Sequence, residues 1–276
     1  NTTIMKEGYM MEYITLNNGI EMPLLGLGTW NLNGQECVNI VATAIELGYC
    51  LIDTAQMYGN EKEVGKGIKR SNTEREKLFV TTKLYRKTNS YDAAKKAINE
   101  SLCNLRLDYI DLLLLHEPYA EGNDMYKALE EAYREGKVHA IGVSNYDQEW
   151  FEALIKQCSI VPSVNQVETH LYYQKWDLQN YLNSQGTAMQ AWSPLAQGKA
   201  DIMHHPQLQE IAYKYHKTAS QIALRFLTQR GISVIPKSKR GERLIENISI
   251  FDFQLSDIEM QEIRKLDKNE TLFSLT

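Results

Sequence analysis

Eight short apolar runs, each closing on a polar or aromatic residue and each separated from the next by an amphipathic stretch, limit what this chain can fold into. They are residues 24–29, residues 49–52 with Asp53 behind them, and the segments KLFVTTK, YIDLLLLH, VHAIGVSN, SVNQVE, GTAMQAW and GISVIPKS. Bounded apolar runs of this length read as buried strands. Between them apolar residues recur at helical spacing: Val38, Val41, Ala42 and Ile45; Ala94, Ile98, Leu102 and Leu105; Met125, Leu129 and Ala132; Phe151, Leu154, Ile155 and Cys158. These stripes are read as core-facing helix sides. Strand and helix in alternation imply a parallel sheet, and eight such strands close into a barrel. The expected fold is therefore α/β, a (β/α)8 barrel of the TIM type.

Two features lie outside that repeat. Ile14, Leu16, the Asn18-Gly19 pair and Ile20 ahead of Pro23 spell a β-hairpin, expected to plug the barrel bottom. Thr218 to Gln221 and Ser256 to Glu259 each fit a capping box ahead of apolar helices at Ile222 and Ile263, the second an extra C-terminal helix outside the barrel. The 276 residues suit one barrel domain, 1–276. Residues 1–12, NTTIMKEGYMME, are expected to stand outside the ordered fold, with Met5, Met10 or Met11 as the natural start.

The net charge of −5 and pI near 5.8 argue against a nucleic-acid or anionic-membrane partner. No apolar run approaches the ~18 residues of a membrane span, and no apolar signal-peptide core precedes Tyr13. Cys37, Cys50, Cys103 and Cys158 are scattered, with neither a C-x-x-C pair nor a His at ligand spacing. No metal is expected; reduced thiols in a cytoplasmic monomer are.

The chemistry sits at strand ends. Asp53, Lys83 and His116 each close an apolar run, and Tyr58 follows Asp53 on a turn marked by Gly59 and Asn60. In a parallel barrel, groups at the carboxyl ends of different strands converge on one mouth. A carboxylate, an ammonium, an imidazole and a phenol brought together there can do acid–base work. The plainer alternative is a capping Asp53, or a structural Asp53–Lys83 pair beside a core His116.

LIDTAQMYGNE, VTTKL, LLLLHEP, GVSNY, NQVE and IPKSKRGERLIEN, in that order, resemble the signature segments of the aldo-keto reductases across residues 16–266. The resemblance implies a catalytic tetrad of Asp53, Tyr58, Lys83 and His116. Tyr58 would donate a proton to a carbonyl oxygen, the Lys83 ammonium would lower the phenol's pKa, Asp53 would hold Lys83, and His116 would orient the carbonyl. It implies NADPH as cofactor. Ser144, Asn145 and Gln166 would bind the carboxamide and Trp192 would stack under the nicotinamide. Lys237, Ser238 and Arg243 would surround the 2′-phosphate, with Glu246 and Asn247 on the adenine. Gly28, Thr29, Trp30, Asp53, Ser193, Pro194 and Leu195 complete the cofactor contacts it implies. Without the resemblance, Ser144-Asn145 reads as a turn and PKSKRGER as a solvated basic segment. Gly26 and Gly28 lack the third glycine of a dinucleotide fingerprint.

On the substrate side, Trp30, Tyr58, Tyr85, His116 and Glu117 are the expected contacts, with Tyr119 beside them. Glu117 and Tyr85 stand where the family frequently carries Trp, Leu171 where Pro is usual, and Trp192 where Tyr is more frequent. Only LDKNETLFSLT trails the last helix, so the pocket is expected to be open and weakly selective. The implied substrates are small aldehydes, α-dicarbonyls and keto-sugars such as diketogluconate. Two alternatives remain: Lys83 as the Schiff-base nucleophile of an aldolase-like lyase, and an NADPH-sensing module with little turnover.

Overall fold

The computed structural model describes residues 2–6, 9–199 and 201–273, with side chains described from Met10 onward. Eight parallel strands form one sheet: β4 (Gly26–Gly28), β5 (Leu51–Asp53), β6 (Phe79–Leu84), β7 (Ile110–Leu115), β8 (Val138–Ser144), β9 (Val164–Glu168), β10 (Ala188–Trp192) and β11 (Ser233–Val234), in spatial order β11-β10-β9-β8-β7-β6-β5-β4. A parallel bridge between Leu25 and Val234 brings the two edges together and curls the sheet into a nearly closed barrel. Val234 N donates to Leu24 O at 2.9 Å and Gly28 N to Pro236 O at 3.2 Å across that join. A Cβ on Gly28 would lie 2.7 Å from the Ile235 carbonyl oxygen, so only glycine lets the edges approach. The barrel strands are shorter than their apolar runs: β4 is 26–28 where 24–29 was expected, and β5 starts at Leu51 where Tyr49 was expected. Tyr49 is turned outward to donate to Leu244 O at 2.9 Å.

Helices α1 (Gly34–Glu46), α2 (Glu61–Ser71), α3 (Tyr91–Leu105), α4 (Gly122–Arg134), α5 (Gln148–Ile155) and α6 (Trp176–Ser184) follow successive strands; α7 (Pro206–Tyr215) and α8 (Ala219–Gln229) fill the β10–β11 connection, and α9 (Gly241–Ile248) and α10 (Asp257–Arg264) end the chain. Both expected capping boxes form, Thr218 with Gln221 and Ser256 with Glu259. One consequence reaches beyond the cap: Glu259 also accepts from Lys214 Nζ at 2.7 Å and Tyr215 Oη at 2.6 Å, tying α10 to α7.

Apolar burial is divided by the sheet. Leu51, Phe79, Leu112, Leu114, Ala140, Val164, Ala188 and Ile235 fill the barrel interior, while a larger set packs between the strands and helices. Leu16 and Met22 of the hairpin join the interior set and close its lower end. Gly19 takes a φ of +85° in the hairpin turn, and Asn18 Nδ2 donates to His139 O at 2.9 Å, pinning the plug to the barrel. The hairpin is one strand larger than expected. Its strands β2 (Tyr9–Thr15) and β3 (Glu21–Pro23) are joined by β1 (Thr2–Lys6), antiparallel to β2, so Thr2–Lys6 and the chain from Tyr9 pair within this small sheet. Met11 is 1% exposed, and Glu12 pairs with Arg225 of α8 at 2.8 Å.

No described helix is long and apolar enough to cross a membrane, and no cluster of three or more His, Cys, Asp or Glu among the described residues is arranged to hold a metal.

Candidate active site

Four strand ends deliver the central cluster. Asp53 is the last residue of β5, Lys83 lies in β6, His116 follows β7, and Gln166 lies in β9. Lys83 Nζ donates to Asp53 Oδ1 at 2.6 Å, to the Thr54 carbonyl at 2.9 Å and to Tyr58 Oη at 3.4 Å, which uses all three ammonium protons. Tyr58 reaches them because extended Ala55 leads into a single 3-10 turn, Gln56–Tyr58, ended by left-handed Gly59 at φ +66°. Its ring meets Trp30 edge-on at 5.1 Å and His116 edge-on at 5.7 Å.

Asn60, 1% exposed, fixes this turn. Its Nδ2 donates to Thr29 O and Leu32 O, each at 2.9 Å, and its Oδ1 accepts from Thr54 Oγ1 at 2.7 Å, so the loops after β4 and β5 are tied together. Sequence reasoning treated Asn60 only as a turn former; a polar side chain between two chemical candidates was the available signal.

The electrostatics depart from expectation at one point. Lys83 is fully buried, which pulls its ammonium down, but Asp53 and Tyr58 outweigh burial and hold its pKa above the ordinary range. Burial raises the carboxyl of Asp53, against the pull of Lys83 and Gln166. Tyr58 was expected to be lowered by Lys83. It is raised: burial dominates, the ammonium pulls down, and Asp53 adds to the rise, so Lys83 only tempers the cost of the dry site. His116 is pushed down to about 3 by burial and by Lys83, so its ring is neutral. Its Nδ1 is buried without a hydrogen-bond partner among the described residues.

A cavity of about 670 Å³ opens above this cluster and runs to the start of α9. Its wall includes Gly28, Thr29, Trp30, Asp53, Tyr58, His116, Glu117, Ser144, Asn145, Gln166, Trp192, Ser193, Pro194, Leu195, Lys237, Arg243, Glu246 and Asn247, all singled out from sequence. Lys83 lies behind Asp53 and Tyr58. Tyr85, Tyr119 and Ser238 are not on the wall. Tyr85 donates its backbone N–H to Gln56 Oε1 at 3.2 Å, and Ser238 Oγ closes on Arg240, donating to its carbonyl and accepting from its N–H.

Several wall groups are already engaged. Trp192 Nε1 donates to Asn145 Oδ1 at 2.7 Å, and Asn145 Nδ2 donates to His116 O at 3.2 Å, with Asn145 in the left-handed region at φ 63°. Gln166 Nε2 donates to Asp53 Oδ2 at 2.8 Å and to Gln190 Oε1 at 2.7 Å. At the far end Lys239 pairs with Glu36 at 2.7 Å, whereas Lys237 and Arg243 have no ion pair among the described residues. Burial and Lys239 lower the pKa of Lys237. Two exposed, unpaired cations on a concave wall suit an anionic group.

The tail is not the open edge expected. Phe273 lies on the cavity wall, edge-on to Trp192 at 5.4 Å, with Lys199 Nζ 4.2 Å from its ring. Glu168 accepts from Leu272 N at 2.9 Å and Thr271 Oγ1 at 2.6 Å, and its Oε1 also meets His170 Nε2 at 2.9 Å. A short tail still builds a wall because a buried carboxylate holds it. Asn31, Met57, Gln197, Gly198, Ile202, Met203 and Ser220 also line the cavity and were not anticipated; five of them sit in single 3-10 turns and Ser220 in the first turn of α8.

The Aldo/keto reductase family model matches residues 24–268. The chain belongs to that family. Across 266 residues this family member is 44% identical to a glyoxal reductase of Bacillus subtilis (strain 168), covering 95% of each chain. Its fold superposes on an aldo-keto reductase from a Medee basin deep-sea metagenome library with a TM-score of 0.93, at 43% identity and 95% and 97% coverage of the two chains. It superposes on a Bombyx mori aldo-keto reductase in complex with NADP with a TM-score of 0.90, at 34% identity and 96% and 95% coverage.

Proposed function

We propose that the chain reduces small aldehydes and α-dicarbonyls to alcohols with NADPH, with Tyr58 as general acid. The observation that carries this reading is the Asp53–Lys83–Tyr58 chain beside neutral His116, at the floor of a groove whose other end holds Lys237 and Arg243. A bound nicotinamide would supply the hydride for the carbonyl carbon. The residues do the rest. Tyr58 gives its proton to the carbonyl oxygen as charge develops there, Lys83 stabilises the phenolate left behind, and Asp53 keeps Lys83 charged. Neutral His116 can donate a hydrogen bond to the same oxygen. The phenolate regains its proton from solvent at the mouth.

Lys237 and Arg243 favour a cofactor with an extra phosphate, and the NADP complex of the Bombyx mori relative supports the same choice. The name of the Bacillus subtilis relative supports a dicarbonyl substrate. The Schiff-base alternative needs a free amine lone pair, and all three protons of Lys83 are in hydrogen bonds to acceptors.

The test is oxidation of NADPH, followed at its own absorbance, against aldehydes, α-dicarbonyls and keto-sugars. Tyr58→Phe should lower turnover about 10²–10⁴-fold with NADPH affinity retained. NADPH binding without turnover on any simple aldehyde would make the chain a cofactor sensor.

A further inference from the structure

We propose that Glu117 makes the substrate end of the cavity select against carbonyl compounds carrying a carboxylate and in favour of uncharged and cationic ones, a reading that rests on the reductase function above. Glu117 follows His116 directly after β7 and lines the cavity, half-buried. No hydrogen bond or ion pair reaches its carboxylate from any described residue. Burial raises its pKa while Arg86 pulls it down from beyond ion-pair distance.

The other charges along the cavity are cancelled or lie elsewhere. Asp53 is matched by Lys83 at 2.6 Å, and His116 is neutral. Tyr58 is protonated at neutral pH. Lys237, Arg243 and Glu246 stand at the opposite end, where the phosphates of a dinucleotide would take up the cations. Around the reacting carbonyl, Glu117 is thus the one charge without an ion-pair partner among the described wall residues, offset only by Arg86 from farther away. Trp30 and Met57, also on the wall, carry no charge. A second negative charge brought roughly 6 Å away, at a dielectric constant between the near-surface and bulk-water values, would be disfavoured roughly 10-fold. Sugar acids and keto acids are therefore poor substrates, and neutral dicarbonyls and hydroxyaldehydes good ones, with hydroxyl groups able to donate to Glu117.

The experiment measures kcat/KM with saturating NADPH at pH 8 for three para-substituted benzaldehydes: 4-formylbenzamide, 4-carboxybenzaldehyde and 4-formyl-N,N,N-trimethylanilinium. Comparing the wild type with Glu117→Gln and Glu117→Lys cancels the intrinsic reactivity of each aldehyde. The amide-to-carboxylate ratio should fall roughly 10-fold in Glu117→Gln and further in Glu117→Lys, with the cation-to-carboxylate ratio falling more steeply. Arg86→Gln should raise both ratios. Ratios constant within twofold across the four proteins, with the neutral amide still reduced, would overturn the proposal and leave the reductase reading intact. Failure of the wild type to reduce the neutral amide or any simple aldehyde would overturn the reductase reading, and this inference with it.

Discussion

Gln166 donates an amide proton to Asp53 Oδ2 at 2.8 Å, across 113 positions of sequence, while Asp53 Oδ1 receives Lys83. A residue expected to face the cofactor thus also aims the carboxylate that holds the lysine. Gln166→Leu leaves one oxygen of a buried carboxylate unpaired. It should cost about 1–3 kcal/mol of stability in urea unfolding and lower kcat more than it raises KM. A loss of stability with kcat unchanged would confine Gln166 to a structural role.

The pH behaviour follows from Tyr58 and Lys83. A general acid works while protonated, and Tyr58 is raised above its ordinary value, so kcat/KM should be flat on the alkaline side up to at least pH 9. Lys83 pulls that pKa down. Lys83→Met should therefore move the alkaline limb to higher pH while lowering the rate on the plateau. It also strands Asp53, at about 3–5 kcal/mol. Lys83→Met with Asp53→Asn should regain much of that stability and none of the rate, which unfolding and turnover measurements separate.

His116 links stability to acid. Its pKa is about 3 in the folded chain against about 6.5 in an unfolded one, so between these values the unfolded state binds a proton that the folded state does not. Stability therefore rises with pH through this window and falls as pH drops below 6.5. His116→Asn should remove about 1–2 kcal/mol of the loss the wild type shows between pH 6.5 and 5. Urea midpoints at the two pH values check it; identical slopes in wild type and variant would mean that His116 is protonated without penalty.

If the proposed NADPH reading holds, cofactor choice should turn on Arg243, exposed on the cavity wall and free of ion pairs among the described residues. A charge-assisted hydrogen bond contributes about 1.5–3 kcal/mol, so Arg243→Ala should weaken NADPH binding roughly 10–150-fold. NADH binding should change much less. Titration by Trp fluorescence measures both; equal losses would make Arg243 a support for its loop and nothing more.

Asp53, Lys83 and His116 were legible because barrel topology converts a polar residue closing an apolar run into a position at the mouth. The capping boxes were legible because they are local, four-residue patterns. Asn60 and Glu168 were not. Each works by a contact to a remote backbone, Asn60 to the loop after β4 and Glu168 to the tail, and no local period encodes that. Ser238 and Tyr85 carried the right residue types in a family-like context, but the Ser238 hydroxyl closes on the Arg240 backbone and Tyr85 is not on the cavity wall. The direction of the Tyr58 shift was missed because sequence gives the neighbouring charge and not the depth of burial.

The join between β4 and β11 is the shortest pairing in the barrel, and residues beside it line the groove. Gly28 stands on one side of it, Lys237 and Arg243 on the other, and all three line the cavity. Any ligand stretched along that wall bridges the first and last thirds of the chain and staples the cylinder shut at its weakest line. Amides along the join, such as Gly28 and Val234, should then exchange with deuterated solvent sooner than those of β6 and β7 in the free protein, and slow the most when NADPH is added.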